Sequence, residues 1–239
     1  MSYQFYNSEV IDVIHETENI RRFIIRIPEV NIFPFIAGQF VMLDLPISTK
    51  ITTRSYSIAS APDNTNIIEL LISLKPSGEG TEYLFKKVKK GTILRVSKAI
   101  GKFTLPETID KDICFICTGT GIAPFRSMII DLINTEKKHK NIFLIFGNRY
   151  LKDVPYKEEL ELWKHKLKGY QFLPVFSREN SENWKGKRGY VHSIYEELFK
   201  EKPEAIFYIC GWTDMLTEAK QKLKFMGYDK SVIKFESYD

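Results

Sequence analysis

Thr118-Gly119-Thr120-Gly121-Ile122-Ala123-Pro124 follows the apolar run Ile113-Cys114-Phe115-Ile116-Cys117 and opens a helical pattern that continues to about residue 134. Glycines at such a turn let the backbone approach a pyrophosphate closely, and Pro124 suits a first helical turn. Strand, glycine turn and helix in succession mark the start of a dinucleotide-binding α/β unit. The spacing is not Gly-x-Gly-x-x-Gly, because the third position is proline. Downstream, strand patterns at 112–117, 141–146, 170–176, 205–210 and 231–235 alternate with helical patterns near 123–134, 155–168, 193–201 and 214–226. That alternation predicts a doubly wound parallel sheet with helices on both faces.

Upstream the period changes. Short apolar or alternating runs at 9–15, 21–27, 39–45, 53–60, 67–74 and 92–97 are separated by turn signals such as Pro34, Gly38, Pro46, Pro62-Asp63-Asn64 and Lys90-Gly91. Six short strands at this spacing predict a small antiparallel six-stranded β-barrel. One helix, 81–87, interrupts them and is entered through Gly78-Glu79-Gly80. Gly-x-Gly-Thr at a helix start offers amides and a hydroxyl to a phosphate; a plain glycine turn capped by Thr81 fits the same residues. The two patterns meet around Pro106-Glu107-Thr108, which gives domains of 1–106 and 107–239.

Within the barrel region, Arg54-Ser55-Tyr56-Ser57-Ile58-Ala59-Ser60 alternates a guanidinium and an aromatic ring on one strand face with hydroxyls on the other. That set suits a phosphorylated planar ligand. A half-buried strand with a solvated arginine fits the same spacing.

Composition narrows the class. Hydrophobic content of 44% and charge of 27% are those of a globular protein, and 239 residues are enough for one large or two ordinary domains. No apolar run approaches the roughly 20 residues of a membrane helix, and Met1-Ser2-Tyr3-Gln4-Phe5 has no signal-peptide core. The expectation is a cytoplasmic protein without stable membrane insertion. Three cysteines are too few for an iron–sulfur cluster or a disulfide framework. Cys114 and Cys117, three apart on a strand, point to opposite faces, which argues against a redox pair. His15, His139, His165 and His192 have no metal-ligand spacing, so no metal site is assigned. The net charge of +5 lacks the focused basic element of a nucleic-acid binder. The short runs Lys86-Lys87-Val88-Lys89-Lys90 and Lys137-Lys138-His139-Lys140 read as solvated helix ends, or as a surface for a small acidic protein.

Eight stretches in order resemble the ferredoxin–NADP reductase family over about residues 5–238. Arg54-Ser55-Tyr56-Ser57 resembles its flavin signature, and Lys75-Pro76-Ser77-Gly78-Glu79-Gly80-Thr81-Glu82-Tyr83-Leu84 its flavin-phosphate segment. Gly101-Lys102-Phe103-Thr104-Leu105 resembles its Gly-x-Phe stretch, and the Thr118–Pro124 loop its nicotinamide-dinucleotide turn. Phe146-Gly147-Asn148-Arg149, Ser177-Arg178-Glu179, Cys210-Gly211 with Asp214-Met215, and Glu236-Ser237-Tyr238 match later segments.

The resemblance implies FAD in the barrel, held by Arg54, Ser55, Tyr56, Ser57, Gly80 and Thr81, with Tyr238 covering it. It implies NADP(H) in the second domain, held by Thr118, Gly119, Thr120, Gly121, Pro124, Arg149, Ser177, Arg178, Cys210, Gly211 and Met215, with Arg188 and Tyr190 as further contacts. Ser57, Cys210, Glu236 and Tyr238 would surround the reacting atoms. The activity implied is NADPH-driven reduction of FAD followed by single-electron transfer to ferredoxin or flavodoxin. An oxygenase reductase component, a free-flavin or ferric reductase, and a non-catalytic flavin-binding regulatory subunit are the alternatives. Arg149 reads equally as a helix cap, Cys210 as a small buried hydrophobe, and the C-terminus as a frayed tail. Asp239 departs from the family's ending by adding a carboxylate.

Overall fold

In a computed structural model, residues 4–50 and 52–238 are described, and Asp239 lies outside them. The chain divides into two compact units: residues up to Leu105 together with Ala123–Asp131, and Pro106–Ile122 together with Leu132 onward.

The first unit carries an antiparallel sheet of β1 (Phe5–His15), β2 (Ile20–Arg26), β3 (Phe40–Asp44), β4 (Thr53–Ser57), β5 (Ile67–Ser73) and β6 (Ile93–Ser97). Their order is β4-β3-β6-β1-β2-β5, and an antiparallel bridge from Ile58 to Leu70 brings the β4 end back to β5. A register shift between Val10 and Asp12 marks an irregularity in β1; such bulges sharpen the strand bending that barrel closure needs. Val10, Phe23, Ile25, Val41, Leu43, Ile68, Leu70, Leu94 and Val96 fill the interior. Each such side chain contributes about 1.5–3 kcal/mol by leaving water. Helix α1 (Glu79–Lys86) adds Leu84 and Phe85 to the same core, with Glu79 and Glu82 in its first turn and Lys86 in its last, complementing its dipole. β1 starts four residues earlier than the alternation suggests. Ser8 is polar in sequence, yet it is buried and donates to the Leu94 carbonyl at 2.8 Å.

The second unit is built on β7 (Asp112–Thr118), β8 (Ile142–Asn148), β9 (Tyr170–Phe176), β10 (Lys187–Arg188), β11 (Ala205–Gly211) and β12 (Ile233–Ser237). All pairs are parallel, in the order β10-β9-β8-β7-β11-β12. β7, β8 and β11 are buried almost end to end, as strands covered on both faces must be. Helix α2 (Ala123–Thr135) follows β7, α3 (Lys157–Leu162) follows β8, α4 (His192–Leu198) follows β10 and α5 (Thr213–Phe225) follows β11. Cys114, Ile116, Phe143, Ile145, Phe207 and Ile209 pack with Ile194, Tyr195, Leu216, Ala219 and Leu223 of α4 and α5.

The helical pattern at 155–168 is shorter in the fold. Tyr156 takes a left-handed conformation at φ 56° just before α3, and Trp163–His165 tightens into a 3-10 turn. That turn brings Trp163 edge-on to Tyr170, with ring centroids 5.9 Å apart.

The strand sequence runs outward from β7 to β10, then returns to β11 beside β7. The order therefore reverses between β7 and β11. Ligands of open α/β sheets bind outside the carboxyl ends of the strands at such a reversal.

Candidate functional site

In the first unit the fold joins the two stretches expected at the flavin phosphate. A Cβ placed on Gly80 would lie 3.1 Å from Arg54 Cγ and 3.3 Å from Nε, so only glycine lets the first turn of α1 rest on the arginine stem without a squeeze. That turn has no side-chain cap, and its leading amides have no intrahelical partner. The Arg54 guanidinium is oriented by the Thr53 carbonyl at 3.0 Å and Thr49 Oγ1 at 3.3 Å. Amide donors and a guanidinium together form a set that a phosphate satisfies, so the residues present fit the phosphate end of FAD.

Thr81 takes part in the glycine turn that the sequence also allowed. Its hydroxyl accepts from the Lys75 amide at 3.0 Å and approaches the Gly78 carbonyl at 3.1 Å. The hydroxyl closes the turn, which leaves the Thr81 amide for a phosphate. On β4, Ser55 is exposed, Tyr56 is partly buried and Ser57 is buried. Burial pushes the Tyr56 phenol up to about 12, against the opposing pull of Arg54.

The second unit gathers its expected residues at the reversal point. Gly121 can sit there because it lacks a side chain: a Cβ would fall 2.4 Å from the Cys210 carbonyl oxygen and 3.0 Å from Gly211 Cα. Gly119, at φ +55°, has nothing within 4 Å of where a Cβ would stand. An open, left-handed backbone position at the carboxyl end of β7 is the cradle a pyrophosphate needs. Thr118 Oγ1 accepts from the Trp212 amide at 3.5 Å, joining the two strand ends. Met215 Cε would lie 3.2 Å from a Cβ on Gly211, so the Cys210-Gly211 and Met215 segments also meet. Pro124 occupies the first turn of α2.

Cys210 is fully buried and stands in register with Cys117 on one side and Glu236 on the other. Burial pushes its thiol well above the ordinary range, the Glu236 carboxylate adds to that, and Tyr238 opposes it. The tail is held: the Tyr238 amide donates to the Gly211 carbonyl at 2.9 Å, extending the β11–β12 ladder by one residue. Cys210, Glu236 and Tyr238 thus form one cluster beside the Thr118–Gly121 turn. Cys114 and Cys117 are buried free thiols, with Cys114 opposite Phe207 and Cys117 opposite Cys210.

Farther along the same edge, the Ser177 amide donates to Asn148 and the Arg178 amide to Arg149, each at 3.0 Å. This pairing carries β8 and β9 one step beyond their ends and sets the exposed Arg149 and Arg178 side by side. A cavity of about 640 Å³ lined by Tyr150, Leu151, Lys152, Lys157, Glu179 and Ser181 adjoins them. Sequence reasoning missed Tyr150, Lys152 and Lys157, which carry no motif of their own. Glu179 accepts from the Leu151 amide at 3.0 Å and the Ser181 amide at 2.9 Å, and these bonds hold its carboxyl below the usual range. The Arg188 guanidinium donates to the carbonyls of Glu179, Ser181 and Trp184, which ties it to the 179–184 loop. Tyr190 is 72% exposed.

Among the described residues no cluster of His, Cys, Asp or Glu could hold a metal, and no helix is long and apolar enough to cross a membrane.

An antiparallel barrel with a phosphate-binding helix start and a parallel sheet with a dinucleotide turn together define a flavin- and nicotinamide-dependent oxidoreductase. Residues 7–105 match the oxidoreductase FAD-binding domain family, and residues 115–221 match the oxidoreductase NAD-binding domain family. The chain is 31% identical over 214 residues to ferredoxin–NADP reductase B of Sorangium cellulosum, covering 87% of this chain and 86% of that one. It is 28% identical to the anthranilate 1,2-dioxygenase electron transfer component of Acinetobacter baylyi, over 78% of this chain and 53% of the relative. The chain therefore spans about half of that longer protein. A crystal structure of a ferredoxin NADP+ reductase from Neisseria gonorrhoeae, with FAD and NADP bound, superposes with a TM-score of 0.83 at 27% identity, covering 99% of both chains. The chain belongs to the ferredoxin–NADP reductase family, with FAD and a nicotinamide dinucleotide as its cofactors.

Proposed function

We propose that the chain is a ferredoxin– or flavodoxin–NADP(+) reductase that draws on NADPH. The observation that carries this reading is the Cys210–Glu236–Tyr238 cluster, set against the glycine turn at the β7–β11 reversal. When bound, the two cofactors would supply the redox chemistry, namely hydride transfer from NADPH to FAD and single-electron delivery to the carrier. The chain's residues bind and orient. Arg54 and the first turn of α1 hold the flavin phosphate, with Ser55 and Tyr56 beside it and Ser57 near the reacting atoms. Thr118–Gly121 and Pro124 hold the pyrophosphate, and Ser177 with Arg178 holds the 2′-phosphate, with Arg149 adjacent. A thiol kept neutral by burial leaves Cys210 as a packing surface for the nicotinamide, not a nucleophile. Glu236 supplies the one carboxylate next to it in register.

The domain limits proposed are 1–106 for FAD and 107–239 for NADP, and α2 divides its residues between the two compact units. The net charge of +5 suits an acidic carrier protein. A second reading, the reductase component of an oxygenase, is favoured by the likeness to the dioxygenase electron transfer component.

Anaerobic addition of NADPH to the FAD-loaded protein tests the proposal. Bleaching of the flavin absorbance followed by reduction of purified ferredoxin or flavodoxin is the expected result. A flavin that stays oxidised would identify a binding subunit. Bleaching without carrier reduction would favour the oxygenase reading.

A further inference from the structure

Two separate basic runs of the sequence meet at the amino end of the parallel sheet in the second unit. Lys137-Lys138-His139-Lys140 leads into β8, and Lys164-His165-Lys166-Leu167-Lys168 leads into β9. The Ile142 amide donates to the Gly169 carbonyl at 3.1 Å, which fixes the two lead-in loops side by side. Both loops are ordered. The Lys166 and Leu167 amides donate to the Trp163 carbonyl at 3.0 and 2.8 Å, and Glu136 ends α2 in a left-handed conformation at φ 49°.

Between the loops lies a cavity of about 450 Å³. Its floor is apolar, made of the buried Leu132 and Leu167 and the half-buried Ile133. Its rim is cationic: Lys137, His139, Lys166 and Lys168 line it, and Glu136 is the one carboxylate among the lining residues. Lys137 Nζ donates to the Pro106 carbonyl at 2.9 Å, a neutral acceptor that holds the ammonium in place without cancelling its charge. Glu161 pairs with Lys164 at 3.3 Å. Residues 136–140 and 161–168 together hold six lysines against two glutamates, a net of four positive charges out of the chain's +5.

The hollow is remote from the dinucleotide turn. β8 runs parallel to β7, with Ile113 opposite Ile142 and Cys117 opposite Phe146. The seven residues of β7 therefore separate it from Thr118–Gly121 by about 20 Å. Lysines scattered over a surface contribute little singly. An apolar hollow with cations on its rim can bury a side chain while the rim meets the charges beside it. We infer that this cavity is a docking site for an acidic protein segment that inserts one aliphatic side chain between carboxylates. No Phe, Tyr or Trp lines the cavity for a nucleic-acid base to stack on, and its floor is recessed where a lipid surface needs protruding apolar side chains.

The probe is the end-blocked peptide Glu-Glu-Glu-Leu-Glu-Glu-Glu, added to the FAD-loaded protein and followed by amide chemical shifts and calorimetric titration. Shifts should gather at residues 132–140 and 166–169. Lys166→Glu/Lys168→Glu should weaken binding about tenfold or more, whereas Lys89→Glu/Lys90→Glu, in the basic run of the first unit, should change it less than about twofold. Replacing the peptide's leucine by serine should also weaken binding about tenfold or more, because the floor then has nothing apolar to cover it. Saturating NADP+ should leave the peptide Kd within about twofold of its value without nucleotide. Absence of shifts at about 1 mM peptide would overturn the inference. So would equal weakening by the two charge-reversal pairs, since attraction to the net charge would then account for binding. Equal affinity for the leucine and serine peptides would show that the hollow is not used, and competition by NADP+ would move the peptide to the dinucleotide turn; either result sinks the assignment. Tighter binding of oligothymidylate or phosphatidylglycerol vesicles at the same residues would give the site to nucleic acid or lipid instead.

Discussion

At the residue scale, the flavin site turns on one side chain. Arg54 is packed by Gly80 and oriented by Thr49 and the Thr53 carbonyl, so its charge is presented beside the amides of α1. A charge-assisted contact of this kind contributes about 1.5–3 kcal/mol. Arg54→Ala should therefore weaken FAD binding by roughly 10- to 150-fold, with flavin lost on dilution and desalting. A variant that purifies with full flavin and wild-type Kd would place the phosphate elsewhere. The other end of the cofactor system turns on Arg178. It is exposed at the end of β9, with its amide bonded to Arg149. Arg178→Ala should raise the KM for NADPH by about tenfold or more and leave NADH kinetics nearly unchanged, since only NADPH carries the 2′-phosphate. An equal effect on both would make Arg178 a loop residue.

At the element scale, most strands and the glycine turns were legible because each is local: a run of alternation, a break, a helix start. β7, β8, β9 and β11 sit within a residue or two of their expected ranges because buried parallel strands read as plain apolar runs. The two-residue β10 was not legible, since Lys187-Arg188 has no apolar pattern to announce a strand. The bonds of Arg188 to the 179–184 loop were hidden because a side chain's partner carbonyl leaves no trace in the sequence. The bonds of Arg126 to the Ala59 carbonyl and of Ser127 to the Ser60 carbonyl are the extreme case, joining residues 67 positions apart. Family likeness located the tail, and the fold supplied its ladder bond to Gly211.

A prediction follows from that bond. Were Tyr238 to cover the flavin, as the family resemblance implies, the nicotinamide would have to displace the ring, at a cost of about 0.5–1.5 kcal/mol of aromatic stacking. NADPH meets that cost with its 2′-phosphate contacts, whereas NADH has fewer. Tyr238→Ser should raise NADH turnover relative to NADPH by a few-fold, up to about tenfold, and shift the visible flavin spectrum. Since the Tyr238 amide still bonds Gly211, the backbone of the tail should stay in place. An unchanged spectrum and an unchanged cofactor ratio would show that the ring does not reach the flavin.

At the scale of the whole molecule, the two compact units differ in one chemical respect that can be read in solution. All three cysteines lie on β7 and β11 of the second unit, fully buried, and the barrel has none. Burial pushes each thiol well above its ordinary value; Asp112 adds to this at Cys114, and Glu236 at Cys210. The sign of the consequence follows from proton counting. Below about pH 8.5, folded and unfolded chains both keep the thiols protonated, so their contribution to stability is fully present. Above that, the unfolded chain releases protons that the folded chain retains, and stability falls as pH rises toward the folded values. Each thiol contributes a slope of about 1.4 kcal/mol per pH unit once it is ionised in the unfolded state, so three approach about 4. The tyrosines join only above about pH 10, which leaves pH 8.5–9.5 as a window dominated by the thiols. Urea denaturation under reducing conditions across that window should show the second unit losing stability steeply while the barrel, followed by its bound FAD, changes little. Cys114→Ala, which leaves Cys117 and Cys210 in place, should remove about a third of the slope. A second unit whose stability is flat from pH 8.5 to 9.5 would mean that the thiols ionise in the folded chain. The neutral Cys210 assigned to the nicotinamide pocket would then have to be abandoned.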